Sequence, residues 1–187
     1  MINRRSFFGL LSVVPPVWKA LLAQHSEWAQ FVHELSHVLA SLRDRHYLIL
    51  EIKGDPYYVQ FASEGALGMH AEAVSNGYLL GDKRLTKEAC SRLLRLGWRA
   101  PTFVPDDGQE HKGSGSPNYF LDFESPLPNH TVANLSVNTL QTVFGAKYPG
   151  DLQYTAFARP GGDIEFPKLC IQQQKCTTSK MCATLAA

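Results

Sequence analysis

His33-Glu34-Leu35-Ser36-His37 is a literal H-E-x-x-H. On a helix, histidines four residues apart project from one face and can share a zinc ion. The glutamate beside the first can then activate a zinc-bound water. The chemistry would be zinc-dependent peptide hydrolysis, with His33 and His37 as ligands and Glu34 as base. The surrounding elements do not favour it. At about 100° per residue, Trp28, Phe31, Val32, Leu35, Leu39 and Leu42 cluster in one direction, which is the stripe a helix buries. His33 and His37 point the other way, with Gln30, Ala40 and Asp44. A zinc peptidase also needs a third ligand, and its motif helix normally follows a substantial sheet. Only 32 residues precede this motif, with no strand pattern among them. The longer H-E-x-x-H-x-x-G-x-x-H fails at Ala40 and Arg43. Glu51, Glu64 and Glu72 lie at workable distances, but Glu51 and Glu72 fall in strands where a zincin supplies a helix. Zinc peptidase is therefore the alternative reading and not the main one.

No other catalytic set is present. The chain has no Gly-rich phosphate loop and no G-x-S-x-G, and Cys90 sits in an amphipathic segment as a small buried residue. Eighteen basic against seventeen acidic residues leave a net charge of +1, which exerts no global pull on nucleic acid or anionic membrane. Lys83, Arg84, Lys87, Arg92, Arg95 and Arg99 are spread through a helical stretch and read as a solvated face. Cys170, Cys176 and Cys182 are spaced six apart, too far for the usual paired thiolates of a zinc site.

The elements that must position any site form an α+β order. Trp28 to Leu42 is a helix. Tyr47 to Ile52 and Tyr57 to Phe61, around a Gly-Asp-Pro turn, form a β-hairpin. Leu67 to Val74 is a third strand. Thr86 is a good N-cap for a second helix that Gly97 ends. Residues 101–117 are loop, Asn118 to Phe123 a strand, Thr131 to Phe144 a helix and Leu152 to Phe157 a last strand. The order α-β-β-β-α-β-α-β implies an antiparallel sheet with helices packed on one face.

Three segments follow. Residues 1–25 are an N-terminal extension or a twin-arginine signal, from Arg4-Arg5 ahead of the apolar run Phe7 to Val14, with Leu21-Leu22-Ala23 as a cleavage site. The run is too short for a membrane span, and Pro15-Pro16 would break a helix passing through it. Residues 26–160 are the domain, and residues 161–187 read as a tail with a frayed end.

The landmarks, taken in order, resemble a known family. They are the Trp-led helix, Tyr57-Tyr58-Val59-Gln60-Phe61, Glu72-Ala73-Val74-Ser75-Asn76, and Leu93-Leu94-Arg95-Leu96-Gly97-Trp98 with Pro101. Ser116-Pro117-Asn118-Tyr119-Phe120, Thr139-Leu140 and Tyr154-Thr155-Ala156-Phe157 complete the set. Over roughly residues 26–158 the chain resembles the bacterial peptide-binding chaperone-like domains related to type III secretion chaperones and YbjN. The resemblance implies binding of an extended or partly folded protein segment without cofactor, metal or catalysis. It also implies a cytoplasmic setting, at odds with the leader, and related secretion chaperones commonly act as homodimers.

Strand alternation then nominates contacts. If Leu48, Leu50, Ile52, Tyr57, Val59 and Phe61 face the helices, then Ile49, Glu51, Tyr58 and Gln60 occupy the other face. His70 and Glu72 join them if the third strand is in matching register. These six are the candidate partner-binding residues, unless the face is simply solvated. An exposed strand edge could accept an added strand.

Overall fold

The computed structural model describes residues 16–103 and 116–176. The Arg4-Arg5 pair, most of the loop read over 101–117, and Cys182 lie outside the described residues. Nine elements run α1 (Pro16–Ser41), β1 (His46–Ile52), β2 (Tyr58–Ser63), β3 (Gly68–Ala73), α2 (Lys87–Leu96), β4 (Tyr119–Glu124), α3 (Asn129–Thr142), β5 (Leu152–Ala158) and β6 (Gln172–Gln174). The strands form one sheet in the order β4-β3-β2-β1-β5-β6. It is antiparallel except for the parallel β5–β6 pair. The α+β class and the order of the first eight elements are as the sequence implies.

One set of side chains from the sheet joins the helices in a single core. Leu48 opposes Phe61 and Ala156, while Leu50 opposes Val59 and Tyr154. They share that core with Leu35 and Leu39 of α1 and Val137 and Leu140 of α3. Leu35, Leu39, Leu48, Leu50 and Phe61 are fully buried. Burying a side chain of this size stabilises by about 1.5–3 kcal/mol, so the stripe on α1 is what fixes that helix to the sheet. α2 is delimited by local chemistry. Thr86 Oγ1 accepts the Ala89 N–H at 3.2 Å, and Gly97 ends the helix at φ 108°. Trp98 then donates its indole N–H to Thr139 Oγ1 at 2.9 Å, tying the end of α2 to α3. No helix of the described residues is long and apolar enough to cross a membrane.

Two boundaries differ from the sequence reading. α1 starts at Pro16 and so takes in residues 16–25 of what was read as an extension, Leu21-Leu22-Ala23 among them. A proline is tolerated in the first helical turn because its missing N–H would have no intrahelical acceptor there. Pro16 therefore opens this helix and does not break it. Gln24 also donates to the Lys147 carbonyl at 2.6 Å, beside the Trp28 indole N–H, which donates to the same carbonyl at 3.1 Å.

At the other end, residues 161–176 belong to the fold. β6 pairs with β5, Leu169 is buried, and Tyr154 joins the two parts. Its hydroxyl accepts the Phe166 N–H at 2.8 Å and donates to Gln173 Oε1 at 3.0 Å. Cys176 packs against the core, whereas Cys170 is exposed and carries a free thiol.

Candidate functional site

Residues directly opposite in neighbouring strands share a face. One row across the sheet is Phe120, Glu72, Gln60, Ile49, Thr155 and Gln174. The row on one side of it is Asp122, His70, Ala62, Tyr47 and Phe157, and on the other lie Tyr58, Glu51 and Gln153. The six nominated residues, Ile49, Glu51, Tyr58, Gln60, His70 and Glu72, therefore lie on one face, turned away from the Leu48–Phe61 set. The β3 register is the one that brings His70 and Glu72 to it.

This face is not an open solvated surface. Ile49, Tyr58, Gln60 and Glu72 are buried, at 1–7% exposure, and only Glu51 and His70 are half-buried. A buried carboxylate requires partners, and Glu72 has four. Gln60 Nε2 and Ser116 Oγ donate to it, Asn118 Nδ2 lies 3.2 Å from Oε2, and His70 Nε2 lies 3.2 Å from Oε1. Asn118 Nδ2 also donates to the Tyr58 hydroxyl at 3.2 Å, so one amide links buried Tyr58 to buried Glu72. Residues 116–118 are pinned over the end of β3 by Ser75. Its N–H donates to Asn118 Oδ1 at 3.0 Å and its hydroxyl to the Pro117 carbonyl at 2.6 Å.

His70 is held from both sides. Nε2 faces Glu72, and Nδ1 lies 2.6 Å from Asp122 Oδ1 on the edge strand, where Arg99 also reaches Asp122 Oδ2 at 3.5 Å. Burial works against a charged imidazole, but the hydrogen bonds and charges of Glu72 and Asp122 outweigh it. The His70 pKa is raised to about 9, and the ring is a cation at neutral pH. Burial likewise pushes the Glu72 carboxyl up, yet His70, Ser116 and Asn118 bring it below its ordinary value. Glu51 has weaker support: burial raises its pKa, only partly opposed by Gln153 at 3.4 Å. The Tyr58 phenol is pushed well above its usual range by burial first.

Ser116 donates to Glu72 and not to an imidazole, and both nitrogens of His70 already face carboxylates. The H-E-x-x-H residues lie elsewhere. His33 and His37 are on the exposed side of α1 with ring centroids 4.6 Å apart, and Glu34 Oε1 is 3.8 Å from His33 Nδ1. Glu51 and Glu72 point from the sheet face opposite the helix core. Among the described residues no three His, Cys, Asp or Glu side chains gather as metal ligands.

Ser116, Asn118, Asp122 and Arg99 take part in the site without having been nominated from sequence. Ser116 and Asn118 come from an irregular segment more than 40 positions beyond Glu72, with no periodicity to place them. A short-polar pair flanking Pro117 was the one available clue.

A family model described as T3SS (YopN, CesT) and YbjN peptide-binding chaperone 3, or TY-Chap3, matches residues 22–158. The chain belongs to this family. The TY-Chap3 match begins inside α1, four residues before the boundary read from the sequence, and ends at the last residue of β5. The β6 segment lies beyond it. No curated protein and no solved structure matches the chain.

Proposed function

We propose that this TY-Chap3 chain is a non-catalytic holder of an extended or partly folded polypeptide segment. The observation that supports this most is the joining of the polar sheet face to the Asp122–Glu124 end of the edge strand β4. In an antiparallel ladder, alternate residues direct N–H and C=O to opposite sides. Phe120 exchanges both of its groups with Arg99, at 3.1 and 3.0 Å, on the side away from β3. Asp122 and Glu124 have the same parity, so their backbone groups also point outward, where they meet no hydrogen-bond partner among the described residues. Such an edge can take an added strand through main-chain hydrogen bonds, while alternate side chains of the guest read the neighbouring face.

In this reading Glu51 and His70 touch the guest, and Ile49, Tyr58, Gln60 and Glu72 form the platform beneath them. The charged side chains of Asp122 and Glu124 guard the edge against indiscriminate pairing. The test is affinity capture of the full chain from its native host under mild cross-linking. Recovery of a discrete protein partner is the expected result. Recovery of none, together with zinc-dependent cleavage of casein by the purified protein, would overturn the reading in favour of a peptidase.

A further inference from the structure

Leu35 and Leu39 are fully buried on the inner side of α1, and Phe31, Val38 and Leu42 are buried with them. The helix between residues 33 and 37 is therefore held against the core. Residues four apart on a helix stand one above the other, with Cβ atoms about 5–6 Å apart. On the outer side of α1 this brings His33 and His37 together, with ring centroids 4.6 Å apart and ring planes at 60°. Both are exposed, His33 with 64% of its side chain open to solvent. Among the described residues the two rings meet each other, His33 also faces Glu34, and neither ring makes a hydrogen bond.

Paired imidazoles of this kind can bind a metal without hydrolysing anything. Glu34 Oε1 lies 3.8 Å from Nδ1 of His33, which leaves Nε2 as the nitrogen open to an ion. A carboxylate behind the other ring nitrogen is the arrangement that orients a ligating imidazole and raises its basicity. Metal–imidazole bonds of about 2.0 Å at a right angle need nitrogens about 3 Å apart. Rings this close reach that spacing by turning about their own side-chain bonds, while α1 stays where the core holds it. The second bond is then intramolecular, so the pair binds far more tightly than either ring alone.

The number of ligands selects the ion. Zinc sites take three or four protein ligands, and among the described residues no third His, Cys, Asp or Glu joins this pair. Copper(II) accepts nitrogen and oxygen donors in a tetragonal array and exceeds zinc in affinity for the same donors. Two adjacent corners from the protein, with water at the others, suit it.

We propose that His33 and His37 form a surface chelating site for copper(II), with no part in hydrolysis. The site lies on the far side of the helix layer from the polar sheet face and does not depend on the peptide-holding reading. An ion held by two side chains is lost to a chelator, so protein purified with EDTA carries none.

The experiment is a calorimetric titration of the full chain with copper(II) chloride in glycine buffer. The chain is first freed of metal with EDTA and treated with iodoacetamide, so that the exposed Cys170 thiol neither binds nor reduces the ion. Electron paramagnetic resonance of the same samples counts the ligating nitrogens. One ion per chain is expected, half-saturating on the order of 10 μM and coordinated by two imidazole nitrogens. His33→Ala and His37→Ala should each weaken binding roughly tenfold or more. Both positions are exposed, so the variants should keep the wild-type melting temperature. His37→Ala combined with Ala40→His retains the number of exposed imidazoles but sets them about 10 Å apart along α1. It should bind no better than His37→Ala alone. Equal affinity in the wild type and both single variants would overturn the chelate. So would wild-type affinity in the combined variant, or no binding tighter than about 1 mM. Zinc chloride binding more tightly than copper would overturn the assignment to copper(II).

Discussion

His70 Nδ1 lies 2.6 Å from Asp122 Oδ1, so a single imidazole ties the edge strand β4 to β3 while its other nitrogen engages buried Glu72. The first consequence is a dependence of stability on pH. The folded His70 pKa is about 9 and lies above the ordinary value of 6.5. A raised pKa contributes stability that is fully present below the unfolded value and is lost as pH rises through the folded one. Stability should therefore fall between about pH 6.5 and 9, by roughly 2 kcal/mol once partial exposure is discounted. Urea denaturation across that range, in wild type and His70→Gln, is the check. A flat wild-type profile would remove the charged His70 from the picture.

Glu72 acts at the acid end. Its pKa is lowered, so its contribution is present above the ordinary 4.5 and is lost as pH falls through the folded value. Glu72→Leu strands Gln60, Ser116, Asn118 and a charged His70, and should cost about 3 kcal/mol. Glu72→Gln retains most of the hydrogen bonding but removes the anion beside His70. It should move the alkaline loss of stability to lower pH, which the same denaturation series would show.

The C-terminal segment should be measurable as part of the fold. Leu169 is 2% exposed, and Leu169→Ala should destabilise by about 2–3 kcal/mol. A chain ending at Gly162 should lose more, because Tyr154 then keeps neither Gln173 nor Phe166 as a partner. An unchanged melting temperature for that shortened chain would return residues 163–176 to the status of a tail.

At the other end, a chain starting at Ser26 removes the first turns of α1 and the exposed Gln24 bond to Lys147 but leaves the stripe from Trp28 onward intact. Its melting temperature should stay within a few degrees, since losing such a contact costs about 1 kcal/mol or less. A drop of ten degrees or more, on the order of 3–5 kcal/mol for a chain of this length, would make the start of α1 part of the core.

His33 and His37 offer a separate test. Both are exposed on α1, so the double substitution to alanine should change stability by no more than about 0.5 kcal/mol. Metal analysis of the purified protein should show no stoichiometric zinc. Stoichiometric zinc that disappears with His33→Ala would instead support the peptidase reading.

The parts of the fold that were legible in sequence are those governed by local rules. Thr86 and Gly97 bound α2 where N-cap and C-cap chemistry put them, and period-two alternation assigned Ile49, Glu51, Tyr58 and Gln60 to one face. The start of α1 was placed too late, at Trp28, because a proline that would break a helix from inside also opens one from its first turn. β6 carries no strand pattern in Gln172-Gln173-Gln174, and its pairing depends on the Tyr154 hydroxyl from a distant strand. Alternation also identified which residues share a face but not that most of them are buried, because Ser116 and Asn118 arrive from a loop.

Peptide holding at the β4 edge and the adjoining face is tested most directly by photo-cross-linking in the native host. Benzoylphenylalanine is placed at Glu124 on the edge, at Glu51 on the face, or at His37 on the exposed side of α1 as control. Cross-links from positions 124 and 51 to a common polypeptide partner, with none from 37, are the expected result. A partner captured only from position 37, or from none of the three, would contradict it.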